Sequence, residues 1–209
     1  MQEVKRDILI SRAKALLTDG TVNRVLGWHK GEFDYDITPA VFYSTEELEK
    51  DFVWNGFCGA NFSKYLIKET AGEGKVLVFL KPCDTYSFNQ LLTEHRFDRE
   101  KVYVIGVPCD GMMDVNTLKA HAEGILSVFA EGDSVIIDTL YDGKKTFPRG
   151  ELISERCRCC KSKKHVAYDE LIGEDGDVIE NARFDEVEKL EKMTPDERFA
   201  FWQSELSRC

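Results

Sequence analysis

The residues best equipped for chemistry in this chain are its seven cysteines, at positions 58, 83, 109, 157, 159, 160 and 209. Two of them share a local form, Pro82-Cys83-Asp84 and Pro108-Cys109-Asp110, and each follows an apolar run closely. Cys157-Arg158-Cys159-Cys160 is a C-x-x-C with an additional cysteine inside it. A C-x-x-C chelates well because one short turn delivers two sulfurs to one centre. With Cys83 and Cys109, Cys157 and Cys160 make up four thiolates, the complement of a [4Fe–4S] cluster or of a four-cysteine zinc site. An odd number of cysteines without an export signal does not form a disulfide framework.

Plainer readings compete with this one. Cysteines at strand ends are often small buried hydrophobes. A C-x-x-C can also be a redox dithiol, but this one follows a hairpin instead of opening a helix after a strand. Structural zinc usually takes two closely spaced pairs, not one pair and two isolated thiols. Cys58, in Trp54-Asn55-Gly56-Phe57-Cys58-Gly59, suits packing better than ligation, and Cys209 reads as a free thiol outside the site.

These thiols need elements to position them. Lys75–Leu80 and Val102–Val107 are continuous apolar runs, the pattern of strands buried on both faces of a parallel sheet. Between them, residues 85–94 read as a helix capped by Asp84. Strand, helix, strand implies parallel strands joined by a right-handed crossover. Cys83 and Cys109 would then leave the same carboxyl edge, where open α/β sheets place their ligands.

Elsewhere, helical spacing marks residues 4–17, and Ser44-Thr45-Glu46-Glu47 is a capping box. Asn61–Glu69 reads as a short helix, Val22–Trp28 and Ser134–Ile137 as strands, and Asp142-Gly143 as a hairpin turn. The expected fold is α/β: a mixed, partly parallel sheet with flanking helices and a C-terminal helical extension. Residues 1–168 form its main domain. Residues 169–209 form an acidic linker and a helix, opened by the Thr194–Glu197 capping box, that leads toward a further module.

Across 209 residues the net charge is −10, which disfavours a general nucleic-acid binder. The basic residues Arg156, Arg158, Lys161, Lys163 and Lys164 nevertheless crowd around the C-x-x-C. They would offset a negative cluster, or receive an acidic partner or a nucleotide phosphate. The apolar run Val76–Leu80 is far short of the roughly 20 residues of a membrane helix. With no signal-peptide core, the expected location is the cytoplasm. His29, His95, His121 and His165 show no metal-binding spacing and read as surface or loop residues.

The motifs Lys81-Pro82-Cys83-Asp84, Gly106-Val107-Pro108-Cys109-Asp110-Gly111 and Cys157-x-x-Cys160, in this order, resemble those of one family. It comprises the beta subunits of deazaflavin-coenzyme-reducing hydrogenases and formate dehydrogenases. The likeness runs from about Phe52 onward and includes Asp169–Gly173 and Glu197-Arg198-Phe199-x-Phe201-Trp202. It implies an iron–sulfur electron-transfer subunit with a [4Fe–4S] cluster on Cys83, Cys109, Cys157 and Cys160. It also implies a flavin (FAD), a small-molecule hydride carrier, and partner subunits of dehydrogenase, hydrogenase or heterodisulfide-reductase type. Longer members continue past the position of Cys209 into a ferredoxin-like part. Cys159 departs from the family pattern. A zinc-stapled interaction module without redox activity is the alternative.

Overall fold

A computed structural model describes residues 6–160, 162–177 and 184–207. Lys161 and Cys209 therefore lie outside the described residues. The chain opens with α1 (Arg6–Thr18), β1 (Arg24–Lys30), β2 (Ile37–Phe42), α2 (Thr45–Asp51), α3 (Leu66–Glu69) and β3 (Val76–Leu80). It continues with α4 (Pro82–Thr93), β4 (Val102–Gly106), α5 (Val115–His121), β5 (Ile125–Glu131), β6 (Ser134–Thr139) and β7 (Gly143–Pro148). The last elements are α6 (Arg149–Leu152), α7 (Glu155–Arg158), β8 (Glu170–Leu171), α8 (Asp185–Lys192) and α9 (Pro195–Leu206).

The main sheet has five strands in the order β2-β1-β3-β4-β8. β1, β3, β4 and β8 run parallel, and β2 lies antiparallel at one edge. This is the mixed α/β architecture expected. Every residue of β3 is buried, as a strand covered on both faces must be. Leu9, Ala13 and Leu16 of α1 and Phe88 of α4 join the same core as Trp28, Phe52 and Phe79. A second antiparallel sheet, β5-β6-β7, closes over a smaller core that includes Leu118, Val135, Ile137 and Leu152. Its β6–β7 turn places Gly143 at φ +67°, a conformation glycine adopts without steric cost.

Two expectations are corrected. The helix after β3 begins at Pro82, not at residue 85, so Cys83 sits inside its first turn. Proline is tolerated there because the first amides have no partner within the helix. Asp84, at the third position, accepts from Lys81 N at 3.2 Å instead of capping from outside. His165 is not a surface residue. It is buried, with Nε2 3.0 Å from Leu80 O and Nδ1 against the Asp175 carboxylate. A Cβ on Gly106 would lie 3.1 Å from the His165 ring, so glycine at the end of β4 leaves room for this histidine.

α8 and α9 bury none of their side chains. The Thr194 capping box is formed: Thr194 Oγ1 accepts from Glu197 N at 3.3 Å, and Glu197 Oε2 accepts from Thr194 N at 2.8 Å. Among the described residues no helix is long and apolar enough to cross a membrane.

Candidate metal centre

β3 and β4 are parallel neighbours with Leu80 facing Gly106. Cys83 and Cys109 each stand three residues beyond that register pair. Val107 N donates to Leu80 O at 2.8 Å and extends the pairing one step further before both chains turn away. Neighbouring parallel strands thus release two Pro-Cys-Asp turns at one edge, the ligand edge of an open α/β sheet.

A separate device brings in the C-x-x-C. The segment after β7 zips against the segment after β4: Asp114 N donates to Leu152 O at 2.9 Å, and Ser154 N donates to Met112 O at 2.9 Å. Arg149 Nη2 donates to Gly111 O at 2.8 Å. Short α7 then starts beside the Cys109 loop. Gly111 makes this approach possible, because it holds φ +99° and a Cβ there would come within 3.3 Å of Ile153 and 3.4 Å of Cys157 Cβ.

The result is an open pocket of about 240 Å³ whose wall includes Cys83, Cys109, Cys157 and Cys160. Cys159 does not line it, and its Sγ lies 3.6 Å from Glu155 Oε1. Cys58 is fully buried behind the pocket, its Sγ accepting from Asn55 N at 3.2 Å. Among the described residues, no three cysteine, histidine or carboxylate side chains form a ready-made site for a single ion.

Two pocket sulfurs already accept backbone amides. Gly111 N donates to Cys109 Sγ, and Met112 N donates to Cys157 Sγ, both at 3.4 Å. The Gly111 bond favours the thiolate of Cys109 over its thiol. Cys160 Sγ donates to Ser162 O at 3.4 Å. Burial raises the pKa of Cys109. Cys83 is exposed at the pocket, yet the loss of water around its sulfur, with the charge of Asp84, pushes its pKa up to about 12. Metal binding must therefore drive protons off these thiols.

The cations are arranged around the same space. Arg156 and Lys163, from the basic cluster, line the pocket, and Lys163 lies 3.8 Å from Asp110. Arg158 turns away to bond Gly150 O and Glu151 O at 3.1 Å. Lys81 and Asp84 also line the pocket as a buried ion pair 2.8 Å apart. The sequence alone presents Lys81 as part of a motif and Asp84 as a cap, and so misses the pair. The available signal is a lysine ending a wholly apolar strand, three residues before a carboxylate.

No protein-family model matches the chain. It is 30% identical over 133 residues to the F420-dependent formate dehydrogenase 1 subunit beta of Methanococcus maripaludis. The chain resembles the beta subunits of F420-dependent formate dehydrogenases. A second such beta subunit, from Methanocaldococcus jannaschii, is 32% identical over 98 residues. The matches take in 63% and 47% of this chain, but only 33% and 26% of those two beta subunits. The chain thus spans about a third of the first and a quarter of the second. Its fold is shared with a chain of the F420-reducing [NiFe] hydrogenase complex of Methanosarcina barkeri, with TM-score 0.61, covering 90% of this chain and 77% of that one at 15% identity.

Proposed function

We propose that this chain is a redox subunit that holds one [4Fe–4S] cluster on Cys83, Cys109, Cys157 and Cys160. One observation carries the reading: thiols from three separated chain segments line a single pocket at the carboxyl edge of parallel strands. The donor set fits the group. Four thiolates are the usual complement of such a cluster, and its four irons each take one, so the sulfurs stand well apart. A single zinc would gather all four at about 2.3 Å from one ion. An open pocket of about 240 Å³ lined by the four thiols supports the wider arrangement.

A cluster bound here supplies one-electron transfer. The chain's own groups do the rest. Gly111 and Met112 amides stabilise negative charge on Cys109 and Cys157, and hydrogen bonds to sulfur are one of the levers that set a cluster's potential. Arg156 and Lys163 compensate the charge of a tetrathiolate centre and give the pocket mouth a positive field toward an acidic partner. The similarity to formate dehydrogenase beta subunits supports a place in a multisubunit oxidoreductase. There the α/β body passes electrons between a flavin or hydride-carrier site and a partner dehydrogenase, hydrogenase or heterodisulfide-reductase-type subunit. The acidic helices α8 and α9 bury no side chains and form a charged arm.

Anaerobic purification with a visible spectrum tests the reading. A brown chain whose broad absorption bleaches on reduction and returns on oxidation is expected. A colourless chain carrying one zinc would replace it with the zinc-stapled interaction module.

A further inference from the structure

Lys81 and Asp84 are each about 2% exposed and face one another across 2.8 Å. The ammonium has three protons and three acceptors: Asp84 Oδ2, Ala60 O at 2.9 Å, and the face of Trp28, whose centroid lies 4.8 Å away. The carboxylate is equally occupied, taking Lys81 N and approaching Cys83 Sγ at 3.8 Å through Oδ1. Neither charge depends on water to complete its shell.

A pair like this is seldom retained for stability. Desolvating two charges costs about as much as their attraction returns, and apolar residues of similar volume are often as good. Here Phe62, Trp28 and Phe79 already supply an apolar core around the same spot. Position is what singles the pair out, because both residues line the thiol pocket.

We infer that the Lys81–Asp84 pair sets the reduction potential of the metal centre, Lys81 supplying a fixed positive charge inside the pocket wall and Asp84 limiting its reach. Reduction adds one negative charge to the centre. A buried cation beside it favours the reduced form and a buried anion opposes it. At an effective dielectric near 20, a unit charge several ångström away alters such an equilibrium by more than tenfold. Lys81 and Asp84 are positioning residues in this role and touch no substrate.

The inference rests on the proposed cluster, so the wild-type chain is measured first. A wild-type chain that holds iron and sulfide and shows a reversible one-electron couple keeps the functional reading intact whatever the variants do. A wild-type chain with neither ends both. In spectroelectrochemical titration, Asp84→Asn should shift the couple up by at least about 59 mV, the equivalent of a tenfold change for one electron. Lys81→Met should shift it down by as much, and Lys81→Arg should stay near wild type. An unchanged potential in iron-loaded Asp84→Asn overturns the inference. So does loss of iron from Asp84→Asn or Lys81→Arg, because the pair would then serve to hold the fold. If Lys81→Met does not fold, the other two variants decide the matter.

Discussion

The pocket edge of the sheet and the arm formed by α8 and α9 both carry dense charge and handle it in opposite ways. At the pocket, Lys81 and Asp84 are desolvated and fully partnered, and the surrounding loops are zipped by backbone bonds. In the arm, Lys192 pairs with Glu188 and Lys189 with Glu186 along one turn, all in open water. Exposed pairs of this kind contribute little. The arm buries no side chain and α9 is capped locally, whereas the pocket is held by packing across distant segments. Only the packed region can fix sulfur positions for chemistry, so substitutions in the two regions should differ in kind as well as size.

The sharpest contrast is in metal content. Cys83→Ser and Cys109→Ser should each drop iron from about four per chain to near none, as read by metal analysis. Cys58→Ala and Cys159→Ser should keep it, since neither thiol lines the pocket. Full iron in both of the first two variants would break the site assignment.

Next comes packing. Phe79 is fully buried against Phe52, while Phe199 in α9 is 71% exposed. Phe79→Ala should cost about 3–5 kcal/mol, and Phe199→Ala should stay within about 0.5 kcal/mol, by urea denaturation. A large effect of Phe199→Ala would mean that the arm packs on something.

These contrasts were partly legible in the sequence. Val76–Leu80 and Val102–Val107 announced buried parallel strands through unbroken apolar runs, and the two Pro-Cys-Asp turns could be placed at one edge from that alone. β2 was not legible, because Pro39 interrupts it and an edge strand needs only half its residues buried. β5 escaped because a register shift between Ile125 and Ser127 spoils its alternation. β8 has two residues and no periodicity to read. The burial of His165 and Lys81 depends on contacts with Leu80, Asp175 and Ala60 that no local pattern encodes.

A smaller effect concerns pH. Burial pushes Cys58 up to about 12 and is the main cause of the rise at Cys83, also to about 12. Their folded pKa lies above the ordinary thiol value of 9.0, so the stabilisation is complete below about pH 9 and lost as pH rises toward 12. Metal-free chain followed by fluorescence or circular dichroism should therefore lose stability across that window. Cys58→Ala should show a weaker loss, and an equal loss would place the cause elsewhere.

Smallest is the cap. Thr194→Ala removes the side chain that accepts Glu197 N and should cost α9 about 1 kcal/mol. The expected signature is a slight fall in helical ellipticity with unchanged iron content. A loss of iron would tie the arm to the pocket.

The most direct test is the joint count of iron and acid-labile sulfide in anaerobically purified chain, with an electron paramagnetic resonance spectrum after reduction. About four irons and four sulfides per chain, with a paramagnetic signal from the reduced cluster, is the expected result. One zinc per chain with no sulfide and no signal would contradict it.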